Sequence, residues 1–457
     1  MPWYASLNRN LSACRINIVT AAGRYVWQAV FILWAGGGVT AEARIISANP
    51  ANYHALIHTL KPGDRLQLAA GDYMNGLPVH QLIGLPNLPI VIAGPVAPGR
   101  AVFHARSGAN TVSIMDSAYV EIRDLVLDGS NLPVDGVRAE GHAHFAHHIT
   151  LTNLLIQGHG NNQQTVGIST KCPAWDWVIR DNVILGAGTG MYLGNSDGSD
   201  AFVGGVIEYN YIADTLGYNL QIKHQIVRAS VPGMPVAARQ TIIRHNVFSK
   251  ANNASSGQLA RPNVLVGHWP LTGNGVNDRY LIYANFFYDN PTEALFQGEG
   301  NIALYNNIFV NPAGDAVHIQ PHHDIPKNIV IAYNTIVASG DGVRLLHKPD
   351  TLEAEKSFTH NLIFAGRAVA GLVDAGNLAQ DYASAALYLR RPDAAPPELD
   401  VTPIRRLRVS TERLNGLFEL THDDYAGQRR NLDDMGALSS ARPPASTPLL
   451  LARPQRK

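Results

Sequence analysis

Disulfides are the first thing this chain cannot rely on, because its 457 residues include only two cysteines, Cys14 and Cys172. A small scaffold held by crosslinks is excluded, and so is a metal knuckle built on cysteine pairs. Charge of one sign is also lacking. Lys and Arg number 36 and Asp and Glu number 36. Arg9, Arg15, Arg24, Arg442, Arg453, Arg456 and Lys457 sit near the two ends, which leaves the body between them net acidic. Such a body has no overall field to gather nucleic acid, so none is expected as a partner. No uninterrupted apolar run reaches the ~20 residues of a spanning helix. The 41 Gly and 27 Pro fall short of a low-complexity composition, and 46% apolar residues suffice for a large core.

Arg24, an apolar stretch over residues 29–39 and then Ala41-Glu42-Ala43 read as a secretory signal covering 1–43. The protein is expected to be secreted or periplasmic, free of the membrane once the signal is removed, with Cys172 its lone thiol. The domain proper is expected over 44–440. The Arg/Pro-rich tail, 441–457, is expected to be disordered.

The strongest pattern is a phrase of β-branched or aromatic residues, then Asn, then two more apolar residues. It recurs at Asn153, Asn182, Asn210, Asn246, Asn285, Asn307, Asn334 and Asn361, as in Val178-Ile-Arg-Asp-Asn182-Val-Ile and Val330-Ile-Ala-Tyr-Asn334-Thr-Ile. Steps of 22 to 39 residues belong to stacked repeats, and units this rich in strand formers and turns point to an all-β solenoid, the parallel β-helix. Each winding would lie ~4.8 Å beyond the last, with apolar side chains feeding one core. The Asn is expected in a tight inward bend at left-handed backbone angles, its amide joining a stacked ladder.

A second strand follows each phrase, as in Gly190-Met-Tyr-Leu-Gly194 and Tyr218-Asn-Leu-Gln-Ile-Lys223. Alternation turns Ile168, Met191, Leu193, Leu220, Ile222, Val264, Val266, Val317, Ile319, Val343 and Leu345 inward. It leaves Lys171, Tyr192, Gln221, Lys223, His318, Gln320 and Arg344 outside on one sheet. The longest steps, 36 and 39, mark loops inserted between Lys223 and His268, and such loops can wall a groove. A short helix starting at Asn49-Pro50, with Tyr53, Leu56, Ile57 and Leu60 on one face, is expected to cap the N-terminal end of the core. Asp423-Asp-Tyr-Ala-Gly427 and Asp434-Met-Gly-Ala437 are expected to seal the other end.

From about Asn49 to Asn361 this layout resembles the right-handed parallel β-helix proteins of the pectate-lyase-like superfamily, most closely the chondroitinase-B and alginate-lyase family of polysaccharide lyases. Lys61-Pro-Gly-Asp64-Arg-Leu-Gln-Leu, Gly71-Asp-Tyr73, Pro89-Ile-Val-Ile-Ala93 and Tyr119-Val-Glu-Ile-Arg-Asp-Leu-Val-Leu127 carry the likeness. The resemblance implies a polysaccharide substrate, a lysine base, and an arginine just before a histidine one winding later. Ile222-Lys223-His224 looks like the lysine phrase. Leu265-Val-Gly267-His268 falls where the Arg-His pair would be, with Gly267 in place of Arg. The family's acidic calcium ligands would precede the lysine, where this chain has Asn219 and Gln221, so calcium is a possible cofactor without an evident ligand set.

Eliminative cleavage of a uronate polymer needs a group that neutralises the carboxylate, a base for the carbon-bound proton and a donor for the departing oxygen. Lys223 is the candidate base, with Arg228, Arg244 and Arg261 as positive neighbours able to lower its pKa. His224 and His268 are alternatives, and Tyr192 or Tyr218 the donor. Gln221, Arg261, Glu299, His318, Gln320, His322 and Arg344 are expected to line the groove, with Trp269 stacking on a sugar. Hydrolysis would need two facing carboxyl groups, and Asp197 and Asp200 read instead as turn residues. The histidine groups at 142–148 and 318–323 lack metal-ligand spacing. The readings that remain are a lyase, a non-catalytic glycan-binding or cell-surface β-helix, a glycoside hydrolase, and a uronate epimerase.

Overall fold

The computed structural model describes residues 43–455 apart from 97, 347–355, 372–375, 410–421, 432 and 441–448. All of the expected signal except Ala43 lies outside the described residues. Among them, no helix is long and apolar enough to cross a membrane.

Three runs of short strands wind around one core. The first face climbs from Ile45–Ala48 to Lys356–Thr359, the second from Gly71–Tyr73 to Leu378–Asp381, and the third from Leu77–His80 to the end of Leu362–Ala370. Each strand pairs in parallel with its counterpart one winding away; for example, Met191, Tyr192 and Leu193 lie beside Leu220, Gln221 and Ile222. Pure parallel ladders buried on their inner side need a continuous apolar seam. The alternation supplies it: every residue expected to point inward on the third face, from Ile168 to Leu345, is buried. The resulting core runs unbroken from Ala48 to Ala365. The fold is the parallel β-helix that the repeats call for.

The first and second faces meet at a corner carrying the asparagine ladder. The side-chain amide of Asn182 donates to Oδ1 of Asn210, and the relay continues through Asn246, Asn285, Asn307, Asn334 and Asn361 to Asn377 at 2.7–3.1 Å. The second amide hydrogen of each goes to a backbone carbonyl, as from Asn210 to Ile179 and from Asn285 to Ile243. Each Oδ1 also accepts the backbone N–H of the preceding rung, as Asn246 Oδ1 does from Asn210. Buried amides are thus fully partnered, the condition under which such a network stabilises rather than costs.

Two details of the corner differ from expectation. The left-handed residue is the one before each rung: Asp181, Tyr209, His245, Ala284, Asn306, Tyr333 and His360 all have φ of 53–60°. Asn153 is not a rung at all. It occupies the left-handed position with φ 55°, and Leu154 takes the rung, its N–H donating to Asn182 Oδ1. A phrase of the same residue types is shifted there by one residue.

At the N-terminal end the helix Tyr53–Ile57 packs Tyr53 edge-to-face on Tyr73 and Phe103, with its hydroxyl donating to Gly76 O at 2.6 Å. Asn49 Oδ1 receives the N–H groups of Ala51 and Asn52, which begins the turn as the Asn-Pro pair suggests. The C-terminal segment runs along a flank rather than closing an end. Met435, Ala437, Leu438 and Leu449 cover outward apolar residues of the second face, from Val247 through Phe286, Ile308 and Val337 to Leu362. Arg430 lies over the Tyr333 ring at 4.3 Å and donates to Asn306 Oδ1 at 2.7 Å. In the tail, 441–448 lie outside the described residues, whereas Leu449 is buried and Arg453 donates to Asp181 O.

Candidate functional site

The third face is where the chain departs from its own repeat. Continued from the registers Ser169↔Tyr192, Leu193↔Ile222, Ile222↔Val266 and Val266↔Gly298, successive windings present Lys171, Gly194, Lys223, Gly267 and Glu299 in one outward row. Charged residues alternate with glycines, so positions 194 and 267, on either side of Lys223, carry no side chain. Both glycines are required by the packing. A Cβ at Gly194, whose φ is +95°, would press on Lys223 Cβ at 3.2 Å, and one at Gly267 would lie 2.2 Å from the backbone nitrogen of His224. The position that the resemblance assigns to an arginine is therefore closed to any side chain.

Two amines share one aromatic ring across Gly194. Lys171 Nζ sits 3.6 Å and Lys223 Nζ 5.7 Å from the centroid of Tyr192, both within cation–π reach. The Tyr192 hydroxyl bonds Ser196 Oγ at 2.7 Å. Burial pushes the Lys171 pKa down to about 8, helped by the positive charges of Arg138 and Lys223 and opposed by Asp135 and Asp200. Burial also lowers the pKa of Lys223, but Glu299 acts against it. The arginines expected to depress Lys223 are engaged elsewhere. Arg228 is buried in a two-pronged pair with Asp278 at 2.9 and 3.2 Å, and Arg261 donates to the Gln258 and Ala260 carbonyls. Arg244 lies on the first face, held by Glu208 at 2.8 Å and the Tyr283 hydroxyl at 2.9 Å, so it cannot serve a site on the third.

Beyond Gly267 the loop after Ile319 folds back over the row. His323 donates its backbone N–H to Glu299 Oε2 at 3.1 Å, and its Nδ1 lies 2.9 Å from the same oxygen. Its ring stacks on His224 at 3.7 Å. Burial, together with His323 and Lys223, drives the His224 pKa to about 4, which leaves a neutral imidazole. Glu299 is 1% exposed, so it acts on the groove through charge rather than contact. Gln221 and His268 are likewise buried, and His268 Nε2 is tied to Ile325 O at 2.8 Å. Trp269, expected to stack on sugar, is 1% exposed and packs on Tyr280 at 4.6 Å inside the core. Gln320 and Arg344 are half-buried and His322 is exposed. Asp197 is a turn residue, accepting from Ser199 N–H and Oγ, while Asp200 is buried with its Oδ1 3.0 Å from His142 Nε2.

Farther along the same face, Asp315, His318 and Asp341 bring three potential ligand atoms within 4.8 Å of one another. Their partners do not suit calcium. Arg344 lies 3.0 Å from His318 Nδ1, so that nitrogen accepts and Nε2–H is left to donate to Asp315 at 2.8 Å. Asp341 is already held by Arg367 through both carboxylate oxygens, at 2.8 and 2.6 Å. Calcium wants six to eight oxygens, and this cluster offers two carboxylates, one of them taken by Arg367, beside an imidazole and Arg344. Lys171 went unnoticed as a site residue because it is followed only by Cys172 in sequence, while its partners lie one and two windings away.

No protein-family profile matches this chain, and neither does any curated protein. Among solved structures, the chain is similar to an alginate lyase from Paenibacillus sp. str. FPU-7, with 17% identity over 74% of this chain and 98% of that one and a TM-score of 0.39. It is also similar to a mannuronic acid specific polysaccharide family 6 lyase from human gut microbiota, with 16% identity over 73% and 83% and a TM-score of 0.46. A third likeness is to the A-module of an Azotobacter vinelandii mannuronan C-5 epimerase, with 17% identity over 72% and 92% and a TM-score of 0.42. The parallel β-helix is established by this chain's own sheets.

Proposed function

We propose that this chain is a polysaccharide lyase acting on an acidic, uronate-containing glycan by β-elimination. The observation that carries the reading is the pair of half-buried amines, Lys171 and Lys223, gathered on the Tyr192 ring along an outward row in which they alternate with glycines. An amine brought down to about 8, as burial does at Lys171, can exchange protons at working pH, and an ammonium beside it can neutralise a uronate carboxylate. One amine takes the proton from the carbon next to the carboxylate. The electron pair of that C–H bond becomes the new double bond as the glycosidic C–O bond breaks. The Tyr192 phenol, held by Ser196, protonates the departing oxygen and recovers its proton from water. No step is routed through a metal. Export, expected from residues 1–43, would bring the protein to such polymers.

Incubating the protein with alginate, chondroitin, dermatan and pectate tests this reading. The expected result is a rise in ultraviolet absorbance from unsaturated ends together with shortened chains. Shortening without absorbance would indicate hydrolysis, and changed uronate stereochemistry at constant length would indicate epimerisation. The closure of position 267 favours one rival, a non-catalytic glycan binder. That rival predicts retardation of the polymers on a gel with no products at any pH.

A further inference from the structure

We infer that the proton-abstracting base is Lys171, and that Lys223 is the ammonium that holds the substrate carboxylate. The inference rests on the lyase reading and assigns the two amines their roles.

The row itself makes the distinction. Lys223 looks across Gly267 toward Glu299, a buried carboxylate whose influence favours the charged amine. Glu299 is kept there by His323, and His224, stacked on that ring, is neutral and adds no competing charge. Lys171 has mixed surroundings, in which burial and positive neighbours act against Asp135 and Asp200. Arg138, on the preceding winding, adds positive charge, and Lys223 adds more from across Gly194. The acids near Lys171 are largely engaged. Asp135 accepts from Ser169 and Val166, Glu140 pairs with Arg138, and Asp200 faces His142. Two like groups whose environments push them apart in this way divide the acid and base duties between them. Burial and the nearby charges of Arg138 and Lys223 bring the Lys171 pKa down to about 8, which agrees with a base at that position.

The same assignment explains the missing arginine. Elimination needs a cation beside the base, and position 267 cannot bear one, since a side chain there would run into the His224 backbone. The cation beside Lys171 is instead Lys223, two windings further along the row. Tyr192 sets the spacing by lying under both amines. Lys171 becomes an ammonium as it takes the substrate proton, the C–O bond breaks as the C=C bond forms, the Tyr192 phenol protonates the departing oxygen and is reprotonated by water, and Lys171 returns its proton to solvent.

Arginine replacements separate the roles, because a guanidinium binds carboxylate but stays protonated at any working pH and cannot act as a base. Lys171→Arg is expected to lower kcat by about 10²–10⁴-fold, whereas Lys223→Arg should keep activity within about ten-fold of wild type. The reverse order would overturn the assignment. Side-chain nitrogen resonances of the two lysines, followed by NMR against pH, give a readout independent of turnover. Lys171 should lose its proton first, and its midpoint should rise when Lys223 is replaced by Met. If Lys223 titrates first, or its removal leaves Lys171 unmoved, the assignment is wrong even in an active lyase. If no polymer is cleaved but the titration order holds, the lyase reading fails and the charge division of the row stands.

Discussion

Two rows of side chains run along this solenoid, one at the corner between the first and second faces and one on the outside of the third, and they follow opposite rules. The corner repeats one residue through eight windings, so each amide meets an identical amide and every hydrogen finds a place. The outer row never repeats a charge directly; it alternates Lys, Gly, Lys, Gly and Glu. Repetition satisfies polar groups and yields stability, whereas broken repetition leaves them exposed to a ligand or to each other's fields. The contrast separates what holds the molecule together from what it can do.

Paired substitutions break the comparison most sharply. Asn246→Leu removes the acceptor of two Asn210 N–H groups and the donor to Asn285 and Ile207, and should cost about 4 kcal/mol. Lys223→Met should lower polymer cleavage by about 10²–10³-fold, with a stability within about 0.5 kcal/mol of wild type. Urea unfolding and absorbance assays on both variants check this, and equal stability losses would erase the distinction. Gly267→Ala stands between the two rows in kind. Its added methyl must displace the His224 backbone, so a loss of about 3 kcal/mol is expected together with lost activity.

Acidity offers a weaker probe of the same boundary. Burial holds His147, His224 and His360 at pKa values of about 4, below the ~6.5 of an exposed imidazole. The unfolded chain therefore binds protons that the folded chain refuses. Stability should be complete above that exposed value and fall as pH drops from there toward 4. Denaturation midpoints measured across this window check the sign, and His224→Gln should flatten part of the slope. The smallest effect concerns Cys172, which is fully buried with its thiol pKa pushed up by desolvation. It should stay unreactive toward a thiol reagent until the protein unfolds.

The faces could be read from the sequence because alternation with period two is a local property that the core then enforces. The ladder was visible for a related reason, since a stacked device must repeat its residue. Registers were harder. Asn153 sits in a phrase of the right residue types yet one residue out of step, and only the pairing of Thr152 with Arg180 reveals it. Arg244 was drawn toward the groove by its place between Lys223 and His268, although its strand belongs to another face. Trp269 looked exposed by position and lies inside the core against Tyr280. Lys171 carries no signal in its own neighbourhood, because its meaning comes from Tyr192, which is 21 residues later in the chain and one winding away in space.

The ladder also has a direction. Each rung donates toward the C-terminal end and accepts from the N-terminal end, so the seven side-chain amide bonds are aligned like the peptide groups of a helix, and their small moments add. The carbonyl pole of this stack lies at Asn182, and there the guanidinium of Arg453 is lodged, donating to the neighbouring Asp181 carbonyl at 3.0 Å. A cation brought back from almost 300 residues away thus rests against the negative end of an electrical axis that the asparagines create only when stacked.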